Sequence, residues 1–352
     1  MILLIIIIIS YIFSILFCAK QKKPRIYFTI VTVIYLFVLS VMFPVFYLKK
    51  FTDDNQIVFP DEALYIYDYT SKLLFSYYIR FIHTTFDLDI VRAINIILFS
   101  LSLSVLTSEI CSRTIGYHKK LIIVFSILGG IVGGYWAFFI LKEAFSVAAI
   151  SMLIIAHLRK SLFYFSISVI LLMFARVDLL FLYLLVNILF VLKEKSKPLY
   201  YLSFIAAIIL FYFFMNSEYS YSLKMFTISR RFNSEKLNFD SVSAETSNLQ
   251  LIPFILSEPF RQALVSNLNS TFNPFIDLNP FVFIQRLYNI FAFVILMKCF
   301  KPFILKDKLY TFAFITIIGI LCTHSVYRYL NTVLIPLTLY FIYLLWLNKN
   351  KA

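Results

Sequence analysis

The sequence predicts an all-α integral membrane protein that crosses the bilayer many times. Three observations support this fold class. Hydrophobic residues make up 61% of the 352 residues, charged residues only 14%, and the mean hydropathy is +0.88. A soluble domain carries roughly 25% charged residues. Apolar runs long enough to cross a bilayer recur from one end of the chain to the other, which excludes a soluble protein.

Eleven apolar segments are the predicted transmembrane helices, and together they form a single transmembrane domain over residues 1–352. We interpret the first as a retained span rather than a signal peptide, because its basic residues follow the apolar run. The predicted spans lie near residues 2–17, 26–47, 91–111, 121–141, 144–158, 161–175, 179–192, 198–214, 281–297, 309–323 and 330–347.

The distribution of charge predicts the orientation, because Lys and Arg are retained on the cytoplasmic side. With the N-terminus outside, the inner segments hold eighteen Lys and Arg residues against three acidic residues. Fourteen basic and fifteen acidic residues remain on the outer side. The net charge of +14 therefore reflects membrane topology, and nucleic acid is not an expected partner.

Two long outer loops, 48–90 and 215–280, are expected to contain helices at the membrane interface. In the second loop, "LIPFILSEPFRQALV" predicts one or two short helices. Because the inner loops are short, a site of any size faces outward or the membrane. An amphipathic interfacial helix is predicted in the first loop by apolar residues at helical spacing: Leu64, Tyr67, Leu74, Tyr78 and Phe81.

The segment "LGGIVGG" in the fourth span pairs Gly129 with Gly133 and Gly130 with Gly134. This spacing of small residues lets another helix approach closely. A glycine-rich phosphate loop is the alternative, but no Walker lysine follows. We therefore expect helix packing at these glycines.

Two adjacent carboxylates, Asp61 and Glu62, are the candidate catalytic residues. A carboxylate near an apolar boundary acts as a general base when desolvation raises its pKa. The sequence Pro60–Asp61 is also typical of a helix start, with Asp61 as the N-cap. The two roles are compatible, because a cap holds a base in position.

Two charged pairs interrupt apolar sequence at predicted outer helix ends. Lys142–Glu143 joins spans four and five almost without a loop, so it is either a solvated turn or a phosphate contact. Arg176 and Asp178 lie at the tip of a hairpin whose spans are shorter than the roughly 20 residues that cross a bilayer. A buried Arg there needs an anionic partner, either Asp178 or a ligand phosphate.

Other charged and polar residues of the outer side are weaker candidates, since lone arginines are often surface charges and a lone His is often a satisfied polar group. Arg328 is a candidate for phosphate contact. Candidates for glycan binding or acid–base chemistry are Arg80, His83, Arg230, Arg231, Arg261, His324 and Tyr327. Because HExxH, paired CxxC and G-x-S-x-G motifs are absent from the sequence, we expect no metal site and no cofactor, and leave a divalent cation open.

The stretch "FPDEALYIYDYTSKLL" resembles the first outer loop of GT-C membrane glycosyltransferases. Downstream, "DIVRAINIILF", "ILKEAFSVAAI" and "FARVDLL" are similar to the corresponding helices of bacterial members, over about residues 26–195 in all. This resemblance implies a polyprenyl-linked sugar donor. It assigns Asp61 as the acid that activates the acceptor, and Lys142, Glu143 and Arg176 as contacts to the donor phosphate.

The short chain, the number of spans, the richness in Phe, Ile and Tyr, and the long late outer loop resemble Wzy-type polysaccharide polymerases instead. That resemblance implies the joining of undecaprenyl-diphosphate-linked repeat units of O-antigen or capsule at the outer face of the bacterial inner membrane. The implied partners are the lipid-linked glycan donor and acceptor, the bilayer and a chain-length regulator. Transfer of a single sugar from a polyprenyl phosphate is the alternative, and a lipid-linked oligosaccharide flippase, typically built from repeated halves, is an alternative of another class.

Overall fold

The computed structural model is mostly helical in the part of the chain that it describes. About 91% of it is helix, and none of the described residues lies in a strand. The all-α class predicted from the sequence is therefore confirmed. The residues that the structure describes are 65–67, 74–85, 88–137, 139, 141–221, 224–225, 228, 245–276, 280–323 and 327–351.

The helices end where charged residues or helix-breaking turns interrupt apolar sequence. Ser196 and Ser257, for example, each cap the following helix with a side-chain oxygen, and a proline follows each cap. In chain order the helices are α1 (Leu74–Thr85), α2 (Leu88–Arg113), α3 (Gly116–Ala137), α4 (Glu143–Arg159), α5 (Leu162–Ala175), α6 (Val177–Lys195), α7 (Lys197–Met215), α8 (Leu251–Leu256), α9 (Glu258–Phe272), α10 (Pro280–Phe303), α11 (Lys308–Thr323) and α12 (Tyr327–Lys351).

Nine of the predicted spans, from 91–111 to 330–347, coincide with helices α2 to α7 and α10 to α12. The spans near 2–17 and 26–47 lie outside the described residues, so the number of eleven stays a prediction. Five described helical stretches are long and apolar enough to cross a membrane: Ile90–Arg113, Gly116–Ala137, Pro198–Met215, Val282–Phe303 and Tyr329–Asn350.

The residues group into two compact units, each built from segments that are distant in sequence. The first takes its described residues from Met1–Leu180, Tyr288–Ile304 and Asn331–Ala352. The second takes them from Phe181–Leu287 and Leu305–Leu330. The single transmembrane domain stays a prediction.

In the first unit, α2 packs against α3 and α4, and α4 packs against α5. The glycines of α3 permit close contact with two other helices. A Cβ at Gly129 would lie 2.9 Å from Ile335 Cγ2, and one at Gly133 would lie 2.6 Å from the Phe99 ring. This confirms the packing interpretation of "LGGIVGG".

The helices predicted in the two outer loops are present. In the first unit, α1 buries Phe75, Ile79 and Ile82, whereas Leu74 and Phe81 of the predicted apolar stripe are exposed. The helix therefore has two apolar faces, one packed on protein and one left for another contact.

In the second unit, the sequence "LIPFILSEPFRQALV" forms α8 and the start of α9, as predicted. The Asn267 side chain of α9 donates to the Leu321 carbonyl of α11 at 3.3 Å. Arg286 of α10 donates to the Ser270 carbonyl of α9 at 2.8 Å. These two bonds hold α9 against the longer helices of this unit.

Candidate functional site

The junction between α3 and α4 is held by one side chain of α2. Asn95 is fully buried, and its amide nitrogen donates to the carbonyl oxygens of Phe139 at 2.9 Å and Leu141 at 3.2 Å. Carbonyl groups past a helix end have no partner within the helix, so an amide donor satisfies them. Asn95 thereby fixes the backbone that leads directly into Lys142 and Glu143.

Lys142 and Glu143 follow this junction and open α4. Glu143 lies in the first helical turn and is only 4% exposed, while Lys142 is half-buried. A carboxylate in the first turn is stabilised by the positive end of the helix dipole. The alternative of a simple solvated turn is therefore wrong for Glu143, whose side chain is inside the protein.

Arg176 and Asp178 form a two-pronged ion pair between α5 and α6. The guanidinium donates through Nε to Asp178 Oδ1 at 3.0 Å and through Nη2 to Oδ2 at 2.7 Å. Arg176 is 7% exposed, whereas the Asp178 side chain is 62% exposed. The sequence offers Asp178 as an anionic partner for Arg176, and in the structure Arg176 binds Asp178. Because the Asp178 carboxylate is exposed to solvent, it can exchange its hydrogen bonds with Arg176 for hydrogen bonds with water.

The two charged pairs lie at the same end of the α2–α5 bundle. Lys142 is within electrostatic range of the Asp178 carboxylate. At the other end of these helices, Arg159 at the end of α4 binds Tyr164 at the start of α5. The chain therefore alternates direction from α2 to α5, and the end of α5 returns to the level of the α3–α4 junction.

Arg92 is a third cation at this end that the sequence analysis did not select. It is completely buried and lies one helical turn before Asn95 on α2. Among the residues of α2 to α5, their junctions and the start of α6 whose side chains the structure describes at this end, the cations are Arg92, Lys142 and Arg176 and the carboxylates are Glu143 and Asp178. The sequence does contain a signal for Arg92, which is a basic residue one helical turn from Asn95 inside an apolar segment. Buried charge is costly, so such a residue is a candidate for a functional role.

Aromatic rings cover the same end. The Tyr78 ring of α1 packs edge-on against Phe145 at 5.4 Å and Phe174 at 6.4 Å between centroids. Phe145 follows Glu143 by two residues and Phe174 precedes Arg176 by two. Burial raises the pKa of Tyr78 to about 12. The phenol therefore remains protonated at neutral pH.

Other predicted site residues lie on α1 and α9. Arg80 on α1 stacks over the Tyr77 ring at 4.8 Å, and His83 is exposed near the end of that helix. In the second unit, Arg261 pairs with Glu258 at 3.2 Å, with both side chains about two-thirds exposed. A surface pair of this kind contributes little to stability. Arg261 also lines a shallow depression along α9 with Gln262, Ser266 and Asn269.

The remaining candidates fall outside the described residues: Asp61, Glu62, Arg230, Arg231 and His324, together with the side chains of Tyr327 and Arg328. Their roles stay predictions. No group of three or more His, Cys, Asp or Glu side chains that could hold a metal ion occurs in the described part of the chain.

The opposite end of the bundle contains a buried ionic cluster that sequence reasoning missed. Glu109 of α2 is 3% exposed and accepts hydrogen bonds from Arg113 at 2.6 Å and from Arg159 at 2.5 Å. Arg159 also donates to the Tyr164 hydroxyl at 2.6 Å. All charges of the Glu109 cluster are paired with each other, which is typical of a structural cluster that joins helices.

Comparison of the chain with family models, with curated proteins and with solved structures found no match.

Proposed function

We propose that this chain is a membrane glycosyltransferase that polymerises lipid-linked oligosaccharide repeat units of a surface polysaccharide. The observation that carries the proposal is the concentration of cations at one end of the first unit. Arg92 and Arg176 are buried there and Lys142 is half-buried, beside the accessible carboxylate of Asp178. Buried cations favour the binding of an anionic ligand at a helix end, and the exposed Asp178 carboxylate can give up its place on Arg176 to that ligand.

A lipid diphosphate is the anion that this chemistry requires. The hydroxyl of the acceptor sugar attacks the anomeric carbon of the donor, and the bond from that carbon to the diphosphate oxygen breaks. The diphosphate leaves with the electron pair, and the cations stabilise its growing charge. The hydroxyl proton passes to Asp61, the base implied by the resemblance to GT-C enzymes.

The number of cations favours the polymerase over the single-sugar transferase. A diphosphate carries more charge than a monophosphate and demands more cationic partners. The order of the motifs "FPDEALYIYDYTSKLL", "ILKEAFSVAAI" and "FARVDLL" favours instead a GT-C transferase that uses a polyprenyl phosphate. In both versions the enzyme works at the outer face of the bacterial inner membrane.

The test replaces Arg176 with Lys in the host bacterium and measures the glycan ladder of extracted surface polysaccharide. Lys keeps the charge but not the planar fork, and loss of one preorganised donor lowers turnover about a hundredfold. We expect single repeat units without longer chains. Lys349→Arg, a charge-retaining exchange at an exposed position near the end of α12, is the control and should leave the ladder unchanged.

Two results would redirect the assignment. Complete chains that lack one branch sugar in Arg176→Lys cells would establish the single-sugar transferase. If Arg176→Lys cells give the wild-type glycan ladder at normal protein levels, the cations at this end of the bundle take no part in the reaction. The proposed function would then lose its support.

A further inference from the structure

The hydroxyl group of Tyr78 is buried without a hydrogen-bond partner among the described residues. Its ring is half-buried in an aromatic cluster with Phe75, Phe145 and Phe174. A buried polar group without a partner destabilises a fold, because it has lost its contacts with water. The packing of the ring therefore does not explain why this residue is Tyr rather than Phe.

The position of the hydroxyl suggests a ligand as the missing partner. The rings that hold Tyr78 belong to the two short segments that carry Glu143 and Arg176. The phenol keeps its proton at neutral pH, since burial raises its pKa to about 12. It is thus a neutral donor whose ring contacts Phe145 and Phe174, two residues from Glu143 and Arg176 respectively.

We propose that Tyr78 is a further ligand-binding residue of this end of the bundle, and that its hydroxyl donates a hydrogen bond to a phosphate oxygen of the lipid carrier. This inference rests on the proposed function, and it adds a neutral donor from α1 to the cations of α2, α4 and the α5–α6 tip. A neutral donor orients a phosphate without adding further buried charge. Among the described residues, no group forms a hydrogen bond with this hydroxyl.

The experiment measures binding of undecaprenyl diphosphate, and of neutral undecaprenol for comparison, to the purified full-length protein in nanodiscs. The variant Tyr78→Phe removes only the hydroxyl and keeps the ring contacts. Tyr77→Phe is the matched control, because Tyr77 is the neighbouring residue on α1 and is 55% exposed. Apparent melting temperatures are recorded for all three proteins.

We expect Tyr78→Phe to weaken binding of undecaprenyl diphosphate about tenfold, which corresponds to about 1.4 kcal/mol. Binding of undecaprenol should not change, and the melting temperature should stay equal or rise. Tyr77→Phe should match the wild type in every measurement.

Three outcomes would overturn the inference. Equal binding by Tyr78→Phe and the wild type would exclude the hydroxyl and leave the proposed function intact. A lower melting temperature of Tyr78→Phe would identify a structural hydroxyl. No specific binding of undecaprenyl diphosphate by the wild type would reject the proposed function and this inference with it.

Discussion

Arg159 at the end of α4 binds Glu109 near the end of α2 through two hydrogen bonds, from Nε at 3.0 Å and from Nη2 at 2.5 Å. The Glu109 side chain is 3% exposed and Arg159 is 21% exposed. Breaking a buried pair by removing one charge is strongly destabilising, because the partner remains without compensation. The contact therefore holds the ends of α2 and α4 together, although the whole of α3 lies between these two helices in the sequence.

The first prediction follows from this pair. Glu109→Gln should destabilise the purified protein by about 3 kcal/mol, because it leaves two arginines without their shared carboxylate. The measurement is the apparent melting temperature in detergent. Glu258→Gln changes an exposed pair of α9 and should cost less than about 1 kcal/mol. Equal effects of the two substitutions would contradict a structural role for Glu109.

The second prediction concerns the close approach at Gly133. A Cβ there would lie 2.6 Å from the Phe99 ring and 2.8 Å from Ile335 Cδ1, so Gly133→Ala should destabilise by about 1–3 kcal/mol. Gly319→Ala is the control, because a Cβ at that position of α11 meets nothing within 4 Å. The control should stabilise slightly, since Ala favours helix over Gly. Thermal denaturation in detergent tests both, and a stable Gly133→Ala protein would exclude the tight contact.

The third prediction tests whether the α3–α4 junction contributes to activity beyond its contribution to the stability of the protein. Asn95→Leu removes the donor that satisfies the Phe139 and Leu141 carbonyls, at a cost of about 1–3 kcal/mol. Lys142 and Glu143 then lose their fixed position, so polymer in the host should fall further than the amount of protein does. Asn187→Leu removes hydrogen bonding to Tyr183 within one helix and is the control. A fall in polymer no larger than the fall in protein would assign Asn95 to folding alone.

Helix positions could be predicted from the sequence because the signal is local. The spans predicted at 161–175 and 179–192 correspond to α5 (Leu162–Ala175) and α6 (Val177–Lys195), since apolar runs and their flanking charges mark helix ends. Arg176 and Lys142 were selected as candidates for the same reason, because a charge inside apolar sequence is conspicuous.

The missed residues depend on contacts between distant segments. Asn95 reaches a carbonyl 44 residues away, and Arg159 reaches Glu109 across 50 residues. Such contacts appear only once the helices have packed, and one sequence does not show which polar residues will meet. Tyr78 was assigned only to an apolar stripe, because one ring among 24 tyrosines and 41 phenylalanines has no distinguishing local pattern.

The fourth prediction tests the topology. Reporter fusions after Lys197 and after Ala352 should both report the cytoplasm, because basic residues gather in the predicted inner segments. An outward signal at Lys197 would contradict the hairpin that enters and leaves on the inner side. A fusion after Ser217, at the far end of α7, should report the outside and serves as the control.

The fifth prediction concerns Asp61, which lies outside the described residues. Asp61→Asn and Asp61→Ser both retain N-capping capacity but lack a base, so both should lower transfer by about 10²–10⁴-fold. The glycan ladder and the amount of inserted protein are measured together. Polysaccharide chains of wild-type length in either variant would show that the Asp61 carboxylate serves only as an N-cap.

The two contacts between α2 and the ends of α4 also constrain how this unit can move. Asn95 holds α2 to the residues that precede α4, and Glu109 holds it to Arg159 at the other end of α4. Two helices joined near both ends rotate and translate as one body, because a hinge at either end would break a buried contact. We therefore expect any motion within this unit to be carried by elements outside the α2–α4 pair, such as α1, while the α2–α4 pair serves as the stationary frame.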